Sequence, residues 1–181
     1  MIVGITGTIG AGKGAVVSYL VLKKDFVHYS ARKFFAEEME KQGIPITRDT
    51  MVEFANKLRI EKGPRCLFDT LYEKARVHGA SAVIESIRTV AEAEALKERG
   101  GILLAVDADQ KTRYARIHGR GSSLDQVTFE EFKRQEALEM HSEDPHKQNI
   151  GAVMQMADVT IQNDGTLTEL HTEIEKIFTT C

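Results

Sequence analysis

A three-layer α/β/α fold around a parallel five-stranded sheet is what this chain predicts, on three observations. Short apolar runs alternate with helix-length segments along the chain, which is the pattern of a parallel sheet covered on both faces. The first run is followed at once by a glycine-rich stretch, GTIGAGKG, and then by an apolar helix-forming segment. At 181 residues, with 42% hydrophobic and 28% charged residues, the chain suffices for one well-buried core and falls short of two full domains.

Taken in order, the apolar run Ile2, Val3, Ile5 predicts a strand over Ile2–Thr6, and Ala15, Val16, Val17, Tyr19 and Leu20 predict the helix that follows the glycine-rich stretch. Further strands are expected at Phe26–Tyr29, Ala82–Glu85, Ile102–Asp107 and Val159–Ile161. Helices are expected near Ala31–Gln42, Asp49–Glu61, Pro64–His78, Val90–Arg99, Gln110–His118, Phe129–His141, Lys147–Met156 and Leu167–Phe178. Thr128, three residues before Glu131, and Thr166, three before Glu169, have the spacing of capping boxes. Two stretches interrupt simple alternation: residues 31–80 hold about three helices between two strands, and residues 119–146 surround one helix with the polar runs GRGSSLDQ and HSEDPHKQ. Insertions of this kind in a small α/β protein cover a site and move over it. One domain, 1–181, is therefore expected, with an acceptor-side flap at about 31–80 and a lid at about 119–146.

The glycine-rich stretch carries chemistry. Glycines let consecutive backbone N–H groups turn inward on an anion, and the next helix points its positive end at the same place. Strand, loop and helix in immediate succession, with Lys13 as a mobile cation, fit a nucleotide-phosphate loop built from Gly7, Thr8, Ile9, Gly10, Ala11, Gly12, Lys13, Gly14 and Ala15. The general pattern has a Ser or Thr after the lysine, whose hydroxyl binds Mg²⁺. Here Gly14 and Ala15 provide no hydroxyl.

Composition excludes several classes. A net charge of −3 gives no global attraction for nucleic acid or an anionic membrane, so no nucleic-acid or membrane partner is expected and phosphate recognition must come from local arginines. Cys66 and Cys181 lie far apart without metal-like spacing, and no apolar stretch approaches the roughly 20 residues needed to span a bilayer. With the phosphate-loop strand opening at residue 2, no leader is expected and a cytoplasmic setting is. The six histidines show no ligand spacing, and the methionines are expected in packing.

Several segments resemble adenylate kinases and related small-molecule kinases. The GKG of the loop is similar to theirs, although Ala15 stands where they usually carry Thr. VIESIRTVAEAEAL, from Val83, resembles their strand ending in an acid followed by Arg, Thr and a helix. TRYARIHGR, residues 112–120, resembles the R-x-x-G-R that leads into their lid, and YSARKFF, from Tyr29, a degenerate acceptor-binding segment. ADVTIQNDGTLTEL, from Ala157, resembles the C-terminal signature of dephospho-CoA kinases. The motif order spans nearly the whole chain.

That resemblance implies a P-loop kinase core with ATP as donor and Mg²⁺ as metal. Arg116 would lie against the adenine, Arg120 would contact the transferring phosphate, and the backbone of Asn163, Asp164 and Gly165 would line the adenine. Arg88, three residues after the strand-ending Glu85, would grip the acceptor phosphate. From the residues themselves, Arg134 is a second candidate for transition-state charge, and Arg32, Arg48 and Arg59 are flap candidates for the acceptor. Each has the alternative reading of a solvated helix arginine. Glu85 closes an apolar run as a carboxylate that orders Mg²⁺ through water, or else pairs with Arg88; Asp107 either shares the metal or caps the next helix.

A hydroxyl acceptor needs a carboxylate base, whereas a phosphate acceptor is already ionised. Between Asp25 and Glu37 there is no acid, which favours a nucleoside or deoxynucleoside monophosphate, with dephospho-CoA as the alternative. A third alternative is an ATP-hydrolysing switch or assembly factor with no small acceptor. The protein is expected to act as a monomer or homodimer on a small-molecule nucleotide.

Overall fold

The computed structural model describes residues 1–119 and 127–179. Its elements run β1 (Ile2–Gly7), α1 (Lys13–Lys24), β2 (Val27–Ser30), α2 (Ala31–Lys41), α3 (Arg48–Lys62), α4 (Cys66–His78), β3 (Ala82–Glu85), α5 (Val90–Glu98), β4 (Ile102–Asp107), α6 (Gln110–His118), α7 (Phe129–Met140), α8 (Ile150–Gln155), β5 (Val159–Gln162) and α9 (Leu167–Thr179). Every expected strand and helix is present. The largest displaced end is the start of α8, at Ile150 instead of Lys147. There Asn149 caps the helix by accepting from the Ala152 N–H at 3.2 Å. The preceding residues are held in turns, with the His146 N–H on Asp144 Oδ1 at 2.9 Å and the Lys147 N–H on the Asp144 carbonyl at 3.0 Å.

The five strands pair in parallel in the order β2-β3-β1-β4-β5. Register sets Ile5 beside Glu85 and Gly7 beside Val106, so β1, β3 and β4 end along one edge. After β3 the chain crosses β1 to reach β4, and open α/β sheets bind ligands in the crevice at such a reversal.

Alternation along the strands divides the core into two layers. Val3, Ile5, Val83, Leu104 and Val106 face α1 and α9, where Val16, Val17, Leu20, Leu170 and Ile174 cover them. Ile84 and Leu103 face the other way, against Phe35, Leu67, Phe68, Leu96 and Val153 from α2, α4, α5 and α8. The second layer therefore includes the helices inserted between β2 and β3.

Caps explain several helix starts. Thr89 and Glu92 exchange both bonds of a capping box at α5. Thr166 and Glu169 do the same at α9, at 3.3 and 2.7 Å, and Thr128 accepts from the Glu131 N–H at 3.2 Å. Asp109, and not Asp107, caps α6, accepting from the N–H groups of Lys111 and Thr112.

Candidate active site

The loop between β1 and α1 closes on its own lysine. Lys13 Nζ donates to the carbonyls of Gly7 at 2.8 Å and Thr8 at 2.7 Å, which keeps the ammonium over the loop where donor phosphates belong. Close approaches and positive φ favour glycine in this loop, most tightly at two positions. Gly7, at φ 134°, would place a Cβ 2.0 Å from the Val106 carbonyl oxygen, and Gly12, at φ 100°, would place one 2.2 Å from Asn163 Nδ2.

Distant segments brace this loop. Thr8 Oγ1 donates to Asp107 Oδ1 at 2.5 Å. Asn163, 7% exposed, donates from Nδ2 to the Ala11 carbonyl at 2.8 Å. Arg113 of α6, 6% exposed, donates to the carbonyls of Ala108 at 2.8 Å and Ile9 at 3.2 Å and pairs with Glu136 of α7. Neither Arg113 nor Glu136 stood out in the sequence. Both sit on the inward stripes of their helices, Arg113 four residues before buried Ile117 and Glu136 four after buried Phe132. A charge at such a position is the signal that was available.

From the loop a cavity of about 290 Å³ runs under α2 and α3. Ile9, Gly10 and Lys13 border its donor end; Arg32, Arg59 and Arg88 supply cations; Glu85 and Glu139 supply acids; Phe35, Met51, Val52, Ala55 and Leu67 form apolar wall. Three of the four acceptor-side arginines expected from the sequence, Arg32, Arg59 and Arg88, therefore border one space with Lys13. Arg48 opens α3, and its side chain is outside what the structure describes.

Glu85 ends β3 inside this cavity. His28 Nε2 lies 3.1 Å from its Oε2, so its hydrogen-bond partner is His28, while Arg88 pairs with Glu139. The bond from His28 holds the Glu85 carboxyl below its ordinary range against the opposing effect of burial, with the charges of His28, Lys13 and Arg88 adding in the same direction. Next to it, Ser86 takes φ 74°, a left-handed conformation for a non-glycine residue, and backbone strain of this kind concentrates at functional sites.

Arg88 reaches across to the segment after α6. Its Nη1 donates to Glu139 Oε2 at 3.0 Å and to Gln148 Oε1 at 2.7 Å. Arg59 is 1% exposed and donates from Nη2 to Glu92 Oε1 at 3.2 Å. Arg32 borders the cavity from the exposed start of α2.

Other expected residues lie elsewhere. Arg134 is on the solvent face of α7, its side chain 64% exposed and paired with Glu131 through two bonds of 2.8 and 2.7 Å; the structure does not bring it to the cavity, because its helix turns Phe132 and Glu136 inward instead. Arg116 donates to the Asn163 carbonyl at 2.8 Å, tying α6 to the turn after β5. Asp164 accepts from the Asp109 N–H at 2.6 Å, and a Cβ on Gly165 would meet the Glu169 carboxylate. This turn acts on the loop through Asn163. Arg120 lies outside the described residues, as do residues 121–126 of the expected lid at about 119–146.

For Mg²⁺ the donor set fits in part. Glu85 offers a hard carboxylate oxygen between Lys13 and Arg88, suited to an ion that keeps several waters. Asp107 is committed to Thr8 and to the Ala108 N–H at 2.9 Å. Gly14 gives no ligand, although a Cβ there would meet nothing within 4 Å.

The arrangement can seat a polyphosphate on the loop and, in one continuous space, an anionic small molecule on arginines. A family model described as AAA domain (AAA_18) matches residues 3–140. The UPF0200 protein PH1008 of Pyrococcus horikoshii is 32% identical over 184 residues, covering 98% of this chain and 95% of that protein. Among solved structures, TT1252 from Thermus thermophilus superposes with a TM-score of 0.66 at 19% identity, covering 99% of this chain and 97% of that one. The shikimate kinase of Bacteroides thetaiotaomicron does so with a TM-score of 0.63 at 12% identity, covering 99% and 98%. These two likenesses establish a kinase-like P-loop fold. With a phosphate loop that implies nucleotide binding, and a match that covers nearly all of both chains, the protein belongs to the UPF0200 family and carries an AAA domain over residues 3–140.

Proposed function

We propose that the protein is an ATP-dependent kinase that transfers the γ-phosphate to a small nucleotide acceptor, a nucleoside or deoxynucleoside monophosphate. The observation that supports this reading most is the single cavity shared by Lys13 and the three arginines Arg32, Arg59 and Arg88. Phosphoryl transfer needs in-line alignment and positive charge on the migrating group more than covalent assistance. The loop N–H groups and Lys13 hold the donor; Arg88 and Arg32 hold the acceptor opposite it. Glu85 would hold Mg²⁺ through water, and the ion would supply positive charge to the donor phosphates.

The cavity's four cations outnumber its two acids, and each acid already faces a partner: Glu85 has His28 and Glu139 has Arg88. That balance favours a phosphate acceptor over a neutral alcohol. A second reading, transfer to a hydroxyl as in dephospho-CoA kinases, is favoured by one observation: Glu85 is held as a carboxylate inside the cavity, where a base for a hydroxyl acceptor belongs. The likeness to a shikimate kinase agrees with that second reading.

Coupled ADP release, measured across nucleoside monophosphates, dephospho-CoA and shikimate, decides among them. Stimulation by a monophosphate is the expected result. Stimulation by dephospho-CoA or shikimate alone moves the assignment to hydroxyl transfer. Turnover that none of them stimulates makes the protein an ATP-hydrolysing switch.

A further inference from the structure

Arginine is rarely fully buried, and when it is, its donors are ordinarily all spent. Arg59 is the bulkiest fully buried side chain among the described residues, yet its Nε and Nη1 have no hydrogen-bond partner there. Only Nη2 is engaged, by Glu92 Oε1 at 3.2 Å. Glu92 is itself 1% exposed, and its other oxygen accepts from the Arg88 N–H at 2.9 Å and the Thr89 N–H at 3.1 Å. Glu92 is thus held by three donors, and the pair it makes with Arg59 still leaves two guanidinium donors open in a side chain that borders the cavity.

The surroundings strengthen that cation. Phe35, Ala55 and Leu67 line the same cavity, and an apolar wall lowers the local dielectric so that a charge-assisted bond made there is stronger than one made in water. A dry guanidinium with open donors destabilises the fold unless something supplies acceptors. A guanidinium only donates. What completes it must bring oxygen acceptors, and an anionic oxygen bonds it most strongly.

We propose that Arg59 forms a buried oxyanion subsite of the acceptor pocket, receiving a phosphate monoester or carboxylate of the substrate on Nε and Nη1. Glu92 is the positioning residue, fixing the guanidinium by its third nitrogen and tying it to the backbone of Arg88. This rests on the phosphotransferase reading and restricts its acceptor to an anion.

Calorimetric titration of the full chain with inorganic phosphate, adenosine 5′-monophosphate and quinate tests the subsite. At least one probe binds the unaltered protein, and Arg59→Met weakens that binding about ten- to hundredfold while Mg-ATP affinity stays within about twofold, which also reports that the variant is folded. Arg59→Lys, which keeps charge but loses the fork, recovers part of the affinity. Glu92→Gln weakens the probe and not ATP, a split that a merely structural role does not give. Binding of the phosphates alone identifies a phosphate monoester site, quinate alone a carboxylate site, and both a site for either oxyanion. Failure of every probe to bind the unaltered protein overturns the proposal, as does equal binding by Arg59→Met. Acceptor-stimulated ADP release separates this from the broader reading. Probe binding without stimulation by any acceptor leaves the subsite and removes the kinase. Stimulated turnover with an unchanged acceptor KM in Arg59→Met leaves the kinase and removes the subsite.

Discussion

The two ends of the cavity are built by different means. At the loop end the groups on offer are backbone N–H dipoles and one lysine, and the side chains of Thr8, Asp107, Arg113 and Asn163 are spent on holding the loop. At the acceptor end the working groups are long side chains brought from α2, α3 and the β3–α5 turn, and two of them are held by counter-charges, Arg59 by Glu92 and Arg88 by Glu139. A backbone site binds any polyphosphate of the right shape, whereas a site of paired arginines changes its ligand with a few substitutions. On the proposed kinase reading, donor binding is the generic half of the site, and selectivity would reside in the arginines and their acidic partners.

That contrast can be broken most sharply at the donor end. Lys13→Ala is expected to lower phosphoryl transfer by about a hundredfold or more with the fold intact. ADP release at saturating substrates, beside a circular dichroism spectrum, checks it; near-normal turnover removes the loop lysine from the chemistry.

Arg88→Ala is the matching change at the acceptor end. Losing a charge-assisted contact raises the acceptor KM about ten- to hundredfold and leaves the ATP KM nearly unchanged, and equal effects on both contradict its placement. Glu139→Gln acts in the opposite direction: it removes a carboxylate 3.0 Å from Arg88 Nη1 that an anionic acceptor must displace, so the acceptor KM falls. Initial-rate measurements of both variants against both substrates read the pair.

Gly12→Ala sharpens the comparison from the stability side. At φ 100° and with a Cβ 2.2 Å from Asn163 Nδ2, the substitution costs about 1–3 kcal/mol of strain and weakens ATP more than the acceptor. Urea unfolding and ATP titration measure the two effects. A variant as stable as the parent means that the loop relaxes freely and is not braced by Asn163.

The smallest effect lies far from the cavity, where α1 meets α9. Glu175 accepts from Lys24 Nζ at 2.7 Å and from the Tyr19 hydroxyl, bonds that lower its carboxyl from the ordinary value and raise the Tyr19 phenol. A depressed carboxyl contributes stability above its unfolded value of about 4.3 and loses it as pH falls through the folded one; the raised phenol contributes below about 10 and loses it above. Glu175→Gln should thus narrow its deficit in thermal stability as pH drops below about 4. A deficit independent of pH shows that the ion pair is not its source.

Much of this was legible in advance. The β3 and β4 strands, Ala82–Glu85 and Ile102–Asp107, are marked by uninterrupted apolar runs, and a buried parallel strand has no polar face to confuse the reading. The phosphate loop is a contiguous stretch whose chemistry is its backbone. Residues such as Arg113, Glu136 and Glu139 were illegible as a set because their partners lie many residues away in sequence. Arg134 shows the converse: an arginine just after the expected lid invited a site role, but the α7 stripe is oriented by Phe132 and Glu136, which turns Arg134 to solvent.

The sheet, its helical layers and the anion-binding turn at residues 7–14 follow from local pattern, because periodicity and glycine placement act within a few residues. Which arginines meet in the cavity, which are braces and which are solvated follows from packing in three dimensions. That choice depends on the rotation of whole helices about their axes, set by packing between segments as distant as Arg59 and Glu92 or Ala11 and Asn163, and no local pattern encodes it.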